Sequence, residues 1–114
     1  MSKENKLPLA NERRRYERYM AMIQTRVDEK AAIEISVEGT PVRLVDFALG
    51  GVYVQADKLF PPGDTVNLCV DLGKKGKIDL LGTVVRTSLE PETECWGIAI
   101  DLSHFYGFHV TRKG

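Results

Sequence analysis

Val66-Asn67-Leu68-Cys69-Val70-Asp71-Leu72 decides the fold class of this chain. Valine and leucine fill every second position and polar or small residues fill the others. That period of two belongs to a pleated strand with one face in a core and the other in water. Before it, Phe60-Pro61-Pro62-Gly63-Asp64 is a strong turn signal. After it, Gly73-Lys74-Lys75-Gly76 closes a hairpin into a second run, Ile78–Thr87.

The same pattern extends in both directions. Upstream, Ile33, Ile35 and Val37 alternate with Glu34, Ser36 and Glu38, and Gly39-Thr40-Pro41 turns the chain. Val42-Arg43-Leu44-Val45 forms the next strand, with Val42 and Leu44 toward the core, and runs into Asp46-Phe47-Ala48-Leu49-Gly50-Gly51. Gly51-Val52-Tyr53-Val54-Gln55 follows. Downstream, Ser88–Glu94 reads as an acidic loop, and Trp96, Ile98 and Ile100 alternate in a sixth strand. Six short strands with turns at regular spacing predict a small antiparallel barrel or sandwich. Ser103 is placed to cap a short C-terminal helix carrying Phe105 and Phe108, against which Gly107 counts.

The N-terminal part has a different period. Tyr16, Met20, Ile23 and Val27 recur at steps of four, three and four among good helix formers, which predicts a helix over about 11–29. Extended structure through the arginines is the alternative. The expected organisation is a flexible leader over 1–11 and a single domain over 12–114, made of an arm (12–31), a barrel (32–102) and a tail (103–114). The helical stripe must bury against something. The barrel is the simplest choice and a second copy of the chain is the other, so a monomer or weak homodimer is expected.

Composition excludes several functions. Lys/Arg and Asp/Glu balance at 16 each over 114 residues, so no broad attraction to nucleic acid or acidic lipid is expected. The charge is uneven, with eight basic against five acidic residues in the first 30. No apolar run approaches the roughly 20 residues of a membrane span. The polar start, Met1-Ser2-Lys3-Glu4-Asn5-Lys6, lacks an apolar signal stretch, so the cytoplasm is the expected location. Cys69 and Cys95 lack metal-type spacing and are expected reduced rather than bridged. His104 and His109, five apart, suit neither one helical face nor a metal pair, and no metal or cofactor is expected. With no Ser/His/Asp or Cys/His arrangement, the chain is not expected to be an enzyme.

Two segments carry recognition chemistry. Arg13-Arg14-Arg15-Tyr16-Glu17-Arg18 offers several guanidinium forks, and Arg14 and Arg18 share a face on a helix or on a strand. A planar fork donates bidentately to phosphate and to guanine O6 and N7. Asp46 can accept from guanine N1–H and N2–H. Gly50-Gly51 permits a sharp turn at positive φ, or close approach of backbone to a ligand. Taken singly, an arginine cluster is a solvated face and Asp-x-Ala-x-Gly-Gly is a hairpin turn. Trp96 is a candidate for stacking on a guanine face.

In order and setting the two segments resemble the PilZ domain family. Its signature is Arg-x-x-x-Arg before the barrel, matched by Arg14 and Arg18, then Asp/Asn-x-Ser/Ala-x-x-Gly after the second strand, matched by Asp46, Ala48 and Gly51. The likeness continues through Pro62-Gly63-Asp64, the hairpin around Gly73–Lys77, Gly82–Arg86 and Gly97–Ile100, and covers roughly residues 12–103. It implies a six-stranded antiparallel barrel that binds cyclic di-GMP and signals to a downstream protein. Arg14 and Arg18 would then grip phosphate and guanine while Asp46, Ala48 and Gly51 shape the other wall. Arg13, just before the motif, implies a stacked pair of nucleotides. Ala48 replaces the commoner serine and removes a hydroxyl. The helical stretch between Arg18 and the first strand is also longer than usual for the family. These two departures favour the alternative of a PilZ-like interaction module without nucleotide. A nucleic-acid-binding barrel is a third reading, opposed by the acidic remainder of the chain.

Overall fold

The computed structural model describes residues 6–31, 33–48, 50–102 and 109–111. One helix, α1 (Lys6–Asp28), precedes seven strands: β1 (Glu34–Val37), β2 (Thr40–Ala48), β3 (Gly51–Ala56), β4 (Thr65–Asp71), β5 (Lys77–Glu90), β6 (Cys95–Asp101) and β7 (His109–Thr111). All pairings are antiparallel, in the order β4-β1-β2-β3-β6-β5-β7, and a further β4–β5 pairing closes the first six into a barrel. Closure removes the free edges of the six strands.

The long strand β5 makes closure possible. Its first half pairs with β4 from Lys77 to Thr83 and its second half with β6 from Thr83 to Glu90. A register shift between Val84 and Arg86 leaves Val85 bulged and exposed. Such a bulge bends a strand and raises its twist, as a small barrel requires. Val66, Leu68, Val70 and Leu72 all point inward and are buried, as their alternation predicts, together with Val52, Val54, Ile78, Leu80, Ile98 and Ile100.

The helix plugs one side of this barrel. Tyr16, Met20 and Ile23 are buried, and Tyr19, Met22 and Val27 pack partly buried against the same core. Fully burying such side chains stabilises by roughly 1.5–3 kcal/mol each. At the far end Arg26 Nη2 donates to Leu72 O at 3.1 Å, a cation at the helix C-terminus where the backbone dipole favours it.

Several expectations need correction. The helix begins at Lys6, so residues 6–11 of the expected leader are helical. Pro8 is tolerated because N–H groups of the first turn have no partner within the helix. The expected acidic loop over Ser88–Glu94 is shorter, because β5 continues to Glu90 and pairs Leu89 with Trp96. The tail contributes a short strand, β7, against the start of β5. The helix expected from Ser103 through Phe108 lies outside the described residues, as does the leader over residues 1–5. No described helix is long and apolar enough to cross a membrane.

Candidate functional site

The Asp46–Gly51 segment is strand and turn rather than turn throughout. β2 and β3 pair Asp46 with Tyr53, Phe47 with Val52 and Ala48 with Gly51. A register shift between Leu44 and Asp46 leaves Val45 as the extra residue. The shift reverses which parity faces inward. Val42 and Leu44 are half-buried against the core, whereas beyond the bulge Phe47 is buried and Asp46 and Ala48 are exposed. One apolar side chain, Phe47, thus anchors the segment and turns its neighbours outward. Asp46 Oδ1 accepts from the Phe47 N–H at 3.0 Å, which fixes the carboxylate against its own strand.

Of the roles open to the glycine pair, Gly51 does not use positive φ; it is extended at the start of β3. A Cβ there would lie 3.1 Å from Ile100 O, so close packing against β6 is what favours glycine. Gly50 is exposed, and a Cβ on it would meet open space. Its carbonyl accepts from the Leu102 N–H at 2.9 Å.

The arginines stand on α1. Arg14 and Arg18 are both exposed. Arg18 lies about 40° around the helix from Arg14, and Tyr16 about 200° from it. The two guanidiniums therefore share a face turned away from the side that Tyr16, Met20 and Ile23 bury. Arg13 is in the helix, but its side chain lies outside the described residues.

Tyr16 joins the two halves. Its hydroxyl donates to Leu102 O at 2.9 Å, and the Leu102 N–H reaches Gly50 O. Two hydrogen bonds thus run from the arginine-bearing helix to the turn after Asp46 and Ala48. Burial, and then the nearby Asp101 carboxylate, raise the Tyr16 pKa and keep the phenol protonated as a donor. The helical stripe alone marks Tyr16 as a packing residue. Its polar role follows from having a hydroxyl where the other stripe residues are aliphatic or sulfur-bearing, and from a chain contact 86 residues away.

Trp96 lies elsewhere. It pairs with Ala56 at one end of β3, whereas Gly51 pairs with Asp101 at the other. The two ends are five residue steps apart along β3, about 17 Å. Trp96 is half-buried against the core, and the structure does not bring it to Asp46 and Gly51.

A polar cluster that the sequence did not reveal covers the outer face of β3, β6 and β5. Tyr53 Oη donates to Glu90 Oε2 at 2.5 Å and Gln55 Nε2 to Glu90 Oε1 at 2.6 Å. The Tyr53 bond, then that from Gln55, holds the Glu90 carboxyl below its usual range, and the same Glu90 bond leads the causes that raise the Tyr53 pKa. A Cβ at Gly97 would overlap the Tyr53 hydroxyl, so the missing side chain makes room for this arrangement. Tyr53 and Gln55 do alternate with inward Val52 and Val54, but only the strand register shows that Glu90 faces them. Among the described residues no cluster of His, Cys, Asp and Glu could hold a metal ion.

The architecture is a small closed antiparallel barrel plugged by an arginine-bearing N-terminal helix. The chain belongs to the PilZ domain family, whose model matches residues 12–104. Comparison with curated protein sequences gave no match. Among solved structures the chain is similar to MrkH of K. pneumonia in its apo state, with a TM-score of 0.63 and 15% identity over 87% of this chain and 42% of MrkH. The MrkH–c-di-GMP complex gives a TM-score of 0.65 at 15% identity, over 87% of this chain and 43% of that one. A third structure, of MrkH as a c-di-GMP-dependent transcription regulatory factor, gives 0.62 at 15% identity, over 87% and 40%. At this identity the likeness is one of fold. The chain spans less than half the length of MrkH.

Proposed function

We propose that this chain is a cyclic di-GMP receptor whose N-terminal helix carries half of the site. Arg14 and Arg18 supply forks for phosphate and guanine, and Arg13 adds a third cation. Asp46 accepts from guanine N–H groups, with Ala48, Gly50 and Gly51 forming the adjoining wall. Asp46 already accepts from Phe47, but a carboxylate has further lone pairs for guanine donors. The observation that carries the reading is the Tyr16–Leu102–Gly50 connection, which holds the Arg-x-x-x-Arg helix beside the Asp-x-Ala-x-x-Gly turn. Membership of the PilZ domain family and the bound state of MrkH support the same ligand.

The helix as it stands turns Arg14 and Arg18 away from its buried face. On this reading binding rotates or uncoils α1 through Arg18 and releases the Tyr16 hydroxyl from Leu102, so that both forks reach the turn. The ligand drives that change only through its greater affinity for the rearranged arm. The surface around Tyr16 and Leu102 is then what changes for a downstream protein. Isothermal titration of the chain with cyclic di-GMP, alongside Arg14→Ala and Arg18→Ala, tests this. Each substitution is expected to weaken binding about ten- to a hundredfold, the worth of one charge-assisted contact. Parent-like binding by both variants removes the arm from the site.

The orientation of the arginines favours a second reading, a PilZ adaptor that binds no nucleotide and engages a protein through the docked helix. It predicts no heat on titration and an α1 that stays helical with cyclic di-GMP in excess.

A further inference from the structure

At the end of the barrel remote from Gly51, three apolar side chains reach the surface or its edge. Leu89 is 55% exposed and Leu59 is 46% exposed, while Trp96, opposite Leu89 in the β5–β6 register, is half-buried. Thr87 Oγ1 donates to Phe60 O at 2.7 Å, which brings the segment carrying Leu59 against the part of β5 that carries Leu89. Single exposed leucines are ordinary, but a group sharing one edge needs an explanation.

The rim of this group is acidic. The β5–β6 turn, residues 91–94, contains Glu92 and Glu94 and no cation. Glu92 and Glu94 are exposed, and Asp57 is placed beside them by the 3.5 Å contact from Cys95 Sγ to its carboxylate. The one nearby lysine, Lys58, lies over the Phe60 ring, 5.4 Å from its centroid. Glu90 is bonded to Tyr53 and Gln55 on the other face of β5 and takes no part in this rim. Carboxylates beside exposed leucine match a partner with the opposite charge and the same apolarity.

We propose that this end of the barrel, with Leu59, Leu89 and Trp96 at its centre and Glu92 and Glu94 at its rim, docks a basic amphipathic segment of a partner protein. The partner's apolar side chains rest on the leucines and its lysines or arginines face the glutamates. The surface lies about 17 Å along β3 from Gly51, so it is separate from the proposed nucleotide site and does not depend on it. Both ends share β3 and β6, and both can be occupied at once.

The test uses the full chain without nucleotide and a synthetic amphipathic helical peptide of lysine and leucine as probe. Trp96 is the sole tryptophan, so its emission reports directly on this surface. A saturable emission change is expected. Leu89→Ser, and Glu92→Lys with Glu94→Lys, should each weaken binding about tenfold, the scale of a single important interface contact. Both sites are exposed, and a circular dichroism spectrum matching the parent checks that each variant is folded. Glu34→Lys, which reverses an exposed acid on β1, should leave the affinity unchanged. The proposal fails if the parent shows no saturable change or if either rim or leucine variant binds like the parent. It also fails if Glu34→Lys weakens binding as much as the rim reversal, or if a glutamate-for-lysine probe binds equally well. Self-association of the probe-free chain that Leu89→Ser abolishes would identify a second copy as the occupant, and would likewise overturn it.

Discussion

Tyr16 does two jobs that are separable at the level of one atom. Its ring is core, while its hydroxyl satisfies Leu102 O and ties the helix to the Gly50 turn. Tyr16→Phe keeps the ring, and the lost hydrogen bond is expected to cost about 1 kcal/mol in chemical denaturation. The pH dependence has a defined sign. The folded pKa lies above the ordinary 10.0, so this contribution is complete below pH 10 and is lost as pH rises through the raised folded value. The alkaline fall in stability should therefore be shallower in Tyr16→Phe than in the parent. Glu90 acts at the opposite limit. Its folded pKa is below the ordinary 4.5, so its contribution is present above that pH and is lost as pH falls through the depressed value. Glu90→Gln should flatten the acid limb of the stability curve. At Gly97 an added methyl meets the Tyr53 hydroxyl, and Gly97→Ala is expected to lose about 1–3 kcal/mol through overpacking. An unchanged denaturation midpoint would show that the Tyr53 cluster gives way freely.

The elements differ in how far local sequence determines them. Strand β4 was legible because its alternation has a single physical solution, and all four of its predicted inward residues, counting Leu72 just beyond it, are buried. The helical stripe was equally legible, since Tyr16, Met20 and Ile23 are the residues that bury among the described side chains of the helix. Bulges were not. The extra residue at Val45 reverses parity in the middle of β2, and nothing in Val42–Ala48 marks the place, because the reversal is set by burial of Phe47 opposite Val52. The extension of β5 through Glu90 was hidden for a similar reason: Ser88-Leu89-Glu90 is polar enough to read as loop until Trp96 and Tyr53 are known to lie beside it. The candidate site was legible as residue types and only partly as geometry. Asp46 and Ala48 were identified from motif spacing, but the outward turn of Arg14 and Arg18 follows only from the phase of a docked helix. That docking has a measurable strength. Met20→Ala or Ile23→Ala is expected to cost about 2–5 kcal/mol. Hydrogen exchange should show the helix losing protection before the barrel strands do. Uniform loss across helix and barrel would mean that they unfold as one unit.

At the scale of the whole molecule, a closed barrel and a docked helix divide the work. The barrel holds Asp46, Ala48 and Gly51 on paired strands whose register closure fixes. The helix carries Arg14 and Arg18 on its exposed face, and on the proposed reading it is the part that the ligand moves. On the proposed reading, switching belongs to the arm and the barrel end around Leu89 serves a partner. The central claim is that arm and turn together form one nucleotide site, and a single calorimetric comparison tests it most directly. Cyclic di-GMP is titrated into the parent chain, Arg18→Ala and Asp46→Ala, with folding of each variant checked by circular dichroism. The account predicts saturable binding by the parent and about ten- to a hundredfold weaker binding when either half is removed. Parent binding that both variants retain unchanged, or no binding by the parent at all, would contradict it.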